Sequence, residues 1–211
     1  MPEGQRVRQK ERTRAALIAA AMGELARAGL AEARTADIAG AAGVSHGTVF
    51  AHFPTRDELL AAVIEEFGTR VARRLHELVE EGTGVAGVLE AHLAGLVEFE
   101  PFYARLVTNP TTLPSAARAA MVAIQSAISF HLSQAAEREM ADGKIRRMPL
   151  HLLFNTWLGL VHYYVANGEL FAPGRSVLRE HGIELKNHFL ALIAREQPAR
   201  GRRTEKKEEL S

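Results

Sequence analysis

The side chains best suited to chemistry in this 211-residue chain lie in one stretch, TADIAGAAGVSHGTVFAHF, over residues 35–53. Their chemistry is recognition rather than bond-making: hydroxyls, imidazoles and a bare glycine backbone, set on two short helical periods. Over 35–42, Ile38 and Ala42 form an i, i+4 pair with Ala39 beside them, and Thr35 is placed to cap the start. Gly43 tolerates the left-handed backbone that ends a helix, and Val44 is expected to turn inward. Ser45 is placed to cap a second helix in which Val49 and Phe53 share a face, leaving His46, Gly47, Thr48 and His52 to point elsewhere. Two helices joined by a tight glycine turn form a helix-turn-helix, whose second helix can enter a DNA major groove.

Residues 42–60, AGVSHGTVFAHFPTRDELL, resemble the DNA-binding segment of TetR-type transcriptional repressors, with a glycine turn, a serine, a Gly-Thr pair, an aromatic, and an aromatic before proline. The resemblance is specific across about residues 15–63 and weaker beyond. It implies base reading by His46, Gly47 and Thr48, with some from His52, and phosphate positioning by Thr35, Ser45, Thr48 and Arg56. Arg56 stands where the family carries a lysine or arginine for phosphate, and His46 where many relatives have a basic residue. Phe50 departs from the pattern: the family's usual tyrosine offers a hydroxyl to phosphate, and phenylalanine cannot.

The elements that must position these residues read as helices throughout. A first helix over 8–28 carries Leu17, Ile18, Ala21, Met22 and Leu25 at helical spacing and ends at Gly29, while residues 1–7 are expected to be a mobile arm. From Met1 to Arg14 five basic residues (Arg6, Arg8, Lys10, Arg12, Arg14) stand against Glu3 and Glu11, a local balance of +3. That end either follows a phosphate backbone or is a solvated charged terminus. After Pro54, Thr55 and Glu58 form a capping box that opens a helix to about residue 80, striped by Leu59, Val63, Phe67, Val71, Leu75 and Leu78. Its length suits a bridge between two domains. Further helices are expected over 85–98, briefly after Pro101, over 116–141 with Ser115 as cap, over 150–166 and over 177–195. The loop near 109–114 and the basic connection 144–149 join them.

The expected fold is therefore all-α. An N-terminal three-helix DNA-binding domain with a helix-turn-helix occupies 1–54, and a larger helical ligand-binding and dimerisation domain occupies 55–196. The tail 197–211, rich in Pro, Gly and mixed charge, is expected to be disordered. The last two long helices are apolar on more than one face, which fits pairing across a two-fold axis, as in TetR-type proteins, and a pseudo-palindromic operator.

Composition narrows the classes. There is no cysteine, so disulfides and thiolate metal sites are excluded, and the net charge is +1. The start is charged rather than apolar, and the apolar run 149–166 carries His151, Asn155 and His162, so a soluble cytoplasmic protein without membrane spans is expected. GTGVAG over 82–87 follows a helical stripe rather than a strand, and HELVE over 76–80 puts Glu80 where a zinc protease needs histidine, so neither is an active site and no metal or cofactor is expected.

In the second domain His92, Phe99, Phe102, Tyr103, Phe130, His131, Phe154, Trp157, His162 and Tyr163 could line an apolar effector pocket with polar anchors, or could be plain core. The resemblance implies a homodimeric regulator that binds double-stranded operator DNA, most simply a repressor released by a small, largely apolar effector. A transcriptional activator of the same fold, and a helical protein-interaction adaptor without operator binding, are the alternatives.

Overall fold

The computed structural model describes residues 3–108 and 113–195; the expected tail at 197–211 and most of the loop near 109–114 lie outside the described residues. Ten helices order the described residues: α1 (Glu3–Ala28), α2 (Thr35–Ala41), α3 (His46–His52), α4 (Arg56–Leu78), α5 (Val85–Val97), α6 (Glu100–Thr108), α7 (Ser115–Ala141), α8 (Leu150–Ala166), α9 (Gly168–Phe171) and α10 (Val177–Ile193). The fold is all-α, a helix-turn-helix unit followed by a larger helical domain.

One connected apolar core runs through both parts. Leu17, Ile18, Ala21, Met22 and Leu25 of α1 are buried, and α1 packs on α2, α4 and α6. The α4 stripe of Leu59, Val63, Phe67, Val71 and Leu75 is fully covered, by α1 and then by α5 and α7. Beyond them α6 packs on α8, while α10 packs on α5 and α8.

Several expectations are corrected. Residues 3–7 are not a free arm: α1 starts at Glu3, because Glu3, Gln5 and Arg6 favour the helix and outweigh Gly4 and Val7. Its outer turns are solvated, with Val7 52% exposed. α4 stops at Leu78, which is exposed rather than part of the stripe, and α10 stops at Ile193. Ser115 is the first residue of α7 and Pro114 holds the cap position, without a side-chain cap. The short α9 between the last two long helices is an element that the periodicity leaves unread.

Loops are closed by long-range bonds. Glu139 of α7 accepts from the Val85 backbone N–H at 3.1 Å, and Arg138 donates to the Thr83 carbonyl at 2.8 Å. The 82–87 glycine motif is an interhelix turn only over 82–84, for Val85 to Gly87 open α5, whose start is capped from α7. Among the described residues, no helix is long and apolar enough to cross a membrane.

Candidate nucleic-acid interface

The turn between α2 and α3 is held by backbone geometry that the residue types require. Gly43 has φ +67°, a conformation costly for any side chain with a Cβ, while the Gly43 and Val44 amides bond back to the Gly40 and Ala39 carbonyls at 3.1 and 3.0 Å. Val44 is half-buried. Ser45 then caps α3, its hydroxyl accepting from the Thr48 amide at 3.2 Å and lying 2.8 Å from the Thr48 hydroxyl. Val49 and Phe53 fix the inner face of α3, 1% and 3% exposed.

The outer face brings together most of the expected recognition residues. Thr35 does not cap α2; Arg34 holds that position, and the Thr35 hydroxyl instead meets His46 Nε2 at 2.8 Å. This bond ties the start of α2 to the start of α3. Eleven residues separate the pair, so no helical spacing could have announced it. The His46 ring lies edge-on to Phe50 at 5.0 Å, and Phe50 is 44% exposed, an apolar plate beside the polar cap. Gly47 is exposed, and a Cβ there would meet only Ser45 Oγ, at 3.9 Å, so another molecule can approach its backbone closely.

Two expected members of the set turn away. His52 is half-buried, leans on Phe53 at 6.5 Å, and keeps its Nδ1 buried without a partner, so its ring faces inward as much as outward. Arg56 folds back: its Nη2 donates to the carbonyls of Leu30, Ala31 and Ala33, latching the α1–α2 turn to the start of α4. The two hydrogens of this one nitrogen are shared among three carbonyls of one turn, and the sequence offers no sign of it. The Thr55 cap is present, its hydroxyl accepting from the Glu58 amide at 3.2 Å, but the Glu58 carboxylate returns to that hydroxyl rather than to the backbone.

The aromatic set of the second domain divides in two. Phe99, Phe102, Tyr103, Phe154 and Trp157 are buried, as is His92; His131 and His162 are half-buried. Phe130 and Tyr163 are corrected to surface positions, 59% and 58% exposed, because each falls on the outward side of its helix. The Trp157 indole N–H donates to His92 Nδ1 at 3.0 Å, so the proton of the neutral imidazole sits on Nε2. That Nε2 is buried with no partner, an orphan donor costing about 1–3 kcal/mol. Beside it, Tyr103 and His162 Nε2 lie 2.5 Å apart, and burial raises the phenol's pKa so that the phenol donates.

Burial lowers the His92 pKa to about 3, with nearby His162 adding to it, and lowers the His162 pKa to about 4. Both imidazoles bind protons more weakly in the folded chain than in the unfolded one. Their contribution to stability is therefore present above pH 6.5 and is lost as pH falls toward the folded values. Stability should drop by up to about 1.4 kcal/mol per pH unit per group below pH 6. Urea titrations at pH 7 and pH 5 check this, and His92→Asn, which keeps an acceptor for Trp157, should flatten the slope. A slope unchanged by that substitution would refute the assignment.

The fold and interface define a helix-turn-helix protein with a larger helical domain behind its reader. The family described as bacterial regulatory proteins, tetR family, matches residues 17–63. The HTH-type transcriptional repressor Rv3405c of Mycobacterium tuberculosis (strain ATCC 25618 / H37Rv) is 41% identical over 76 residues, 36% of this chain and 38% of that protein. The match thus spans well under half the length of that curated relative. A TetR-family regulator from Agrobacterium tumefaciens superposes with a TM-score of 0.73 at 18% identity, over 88% of this chain and 100% of that one. FadR from Bacillus subtilis, solved with stearoyl-CoA, superposes at 0.69 with 18% identity, over 85% and 96% of the two chains. At such identity these two carry the fold. Residues 17–63 thus match the TetR-family domain, and the chain shares the all-α fold of these solved structures.

Proposed function

We propose that the protein is a TetR-type transcriptional regulator, a repressor that binds a pseudo-palindromic operator as a homodimer and leaves it when a small effector binds. The observation that carries this reading is the presentation of α3: capped by Ser45, pinned by the Thr35–His46 bond, and exposing His46, Gly47 and Phe50 on one face. The reader corresponds to 1–54 and the effector and pairing domain to 55–196. Base contacts come from His46, Gly47 and Thr48, and phosphate contacts from Ser45 and Thr48.

Pairing through α8 and α10 is supported by the apolar side chains these helices leave outside, Leu152 and Tyr163 on one, Ile183 and Leu192 on the other. The effector site lies in the core around His92, Phe99, Phe102, Tyr103, Phe154, Trp157 and His162. Its ligand is largely apolar and carries one acceptor oxygen for the orphan His92 Nε2–H. The stearoyl-CoA held by FadR is consistent with an apolar effector on this fold. Effector binding would favour a subunit geometry with less suitable half-site spacing. Regulation, rather than turnover of a substrate in the cytoplasm, is the role proposed.

Selection of bound duplexes from a random pool by the purified chain tests the reading. A recovered palindrome supports it, and enrichment of no sequence refutes it. With that operator in hand, Arg56→Ala should weaken binding evenly across half-site variants and lower the unfolding free energy by about 1–2 kcal/mol, leaving the salt slope unchanged. A slope reduced by about one unit would instead make Arg56 a phosphate contact.

A further inference from the structure

Away from the reader, α4, α5 and α10 enclose an open cleft of about 680 Å³ whose lining includes Arg70, Arg73, Arg74 and Arg179. That volume lies in the range of small-molecule sites. The first three arginines fall at i, i+3 and i+4 on one face of α4, a spacing at which like charges repel. Arg179 reaches the same cleft from the first turn of α10. Two carboxylates, Glu77 and Glu98, also line it, so four guanidinium groups face two acidic ones. Arg74 pairs with Glu77 at 3.2 Å, and Arg70 pairs with Glu66 at 2.7 Å while its guanidinium stands 5.7 Å from the Phe99 ring. Arg73 and Arg179 have no side-chain hydrogen bond or ion pair among the described residues, although Glu98 shares the cleft with them. Half of the cleft's guanidinium groups are neutralised internally and half, Arg73 and Arg179, are left for an external anion, whose phosphate oxygens two guanidinium forks match bidentately.

We infer that this cleft binds a small molecule carrying two or more linked phosphates, held by Arg73 and Arg179 with Arg70 and Arg74 at its margin. The polyphosphate is a free small molecule rather than a DNA backbone. Arg70 lies 14 residues along α4 from Arg56, about 21 Å from the start of that helix where the reader ends. The site is also distinct from the aromatic core, so it does not rest on the effector assignment there.

Calorimetric titration of the full-length chain with inorganic triphosphate at constant ionic strength tests the inference. One site per chain is expected, weakened at least tenfold in Arg73→Ala/Arg179→Ala and unchanged in Arg146→Ala/Arg147→Ala, a charge-matched change on the connection before α8. Circular dichroism and operator affinity of the first variant should match the parent, which separates a lost anion site from a lost fold or a failed regulator. Absence of binding, equal loss in both variants, or displacement by sulfate at the same ionic strength would overturn it. So would displacement by nonspecific duplex DNA, which would make the cleft a nucleic-acid contact.

Discussion

Phe67→Ala is expected to lower the unfolding free energy by about 3–5 kcal/mol, which for a chain of this size lowers Tm by about 6–20 °C. Phe67 is completely buried on the α4 stripe and is the hub of an aromatic cluster. It meets Phe99 and Phe102 edge-on at 5.8 and 5.7 Å and lies tilted against Tyr103 at 5.7 Å. These partners come from the joint between α5 and α6 and from α6 itself, so one ring fastens the long connecting helix to the helix that packs on α1 and α8. Truncation would remove the apolar transfer term, the edge-on contacts and the packing around a new void together. Phe67→Leu, which keeps more of the volume, should cost far less. Urea unfolding of both variants decides the matter: a loss below about 1.5 kcal/mol for the alanine would mean the three rings collapse freely into the gap.

The second large effect is expected at Glu100, where alanine should cost about 2–5 kcal/mol. This side chain is 8% exposed, and its carboxylate accepts from the Val177 amide at 2.7 Å, the Leu178 amide at 3.2 Å and the Ser176 hydroxyl. Those amides belong to the first turn of α10, which has no acceptors of its own for them and whose dipole favours an anion. Without the carboxylate two buried donors lose their partners. Glu100→Gln retains an acceptor oxygen and should cost roughly half as much. Thermal unfolding of both variants reads this loss. An alanine variant within 1 kcal/mol of the parent would show that water replaces the carboxylate.

The reader was legible because its constraints are local. Gly43, Ser45, Val49 and Phe53 each act within a few residues, so the turn, the cap and the inner face follow from spacing alone. The bounds of α8 also match their periodicity, since proline precedes the helix and an apolar run fills it. What could not be read depends on contacts between distant segments. Glu100 stands among acidic and aromatic neighbours in EFEP and shows its role only when α10 arrives, 76 residues later. Arg56 looks like a solvent-facing cation until the α1–α2 turn supplies carbonyls. Phe130 satisfies the same aromatic pattern as Phe102, and only the packing of neighbouring helices separates the exposed ring from the buried one.

Trp157 is the only tryptophan in the chain, fully buried, 5.4 Å from the Phe189 ring and bonded to an imidazole. The molecule therefore carries a single intrinsic fluorophore at the centre of its proposed effector core. Its emission comes from one environment, with no second indole to subtract. Protonation of His92 turns a hydrogen-bond acceptor into a charged quencher at contact distance, so acid titration can be followed optically at this one bond. An occupant of the core that engages the other imidazole nitrogen perturbs the same emission, and a library of unlabelled compounds can be screened on the native chain.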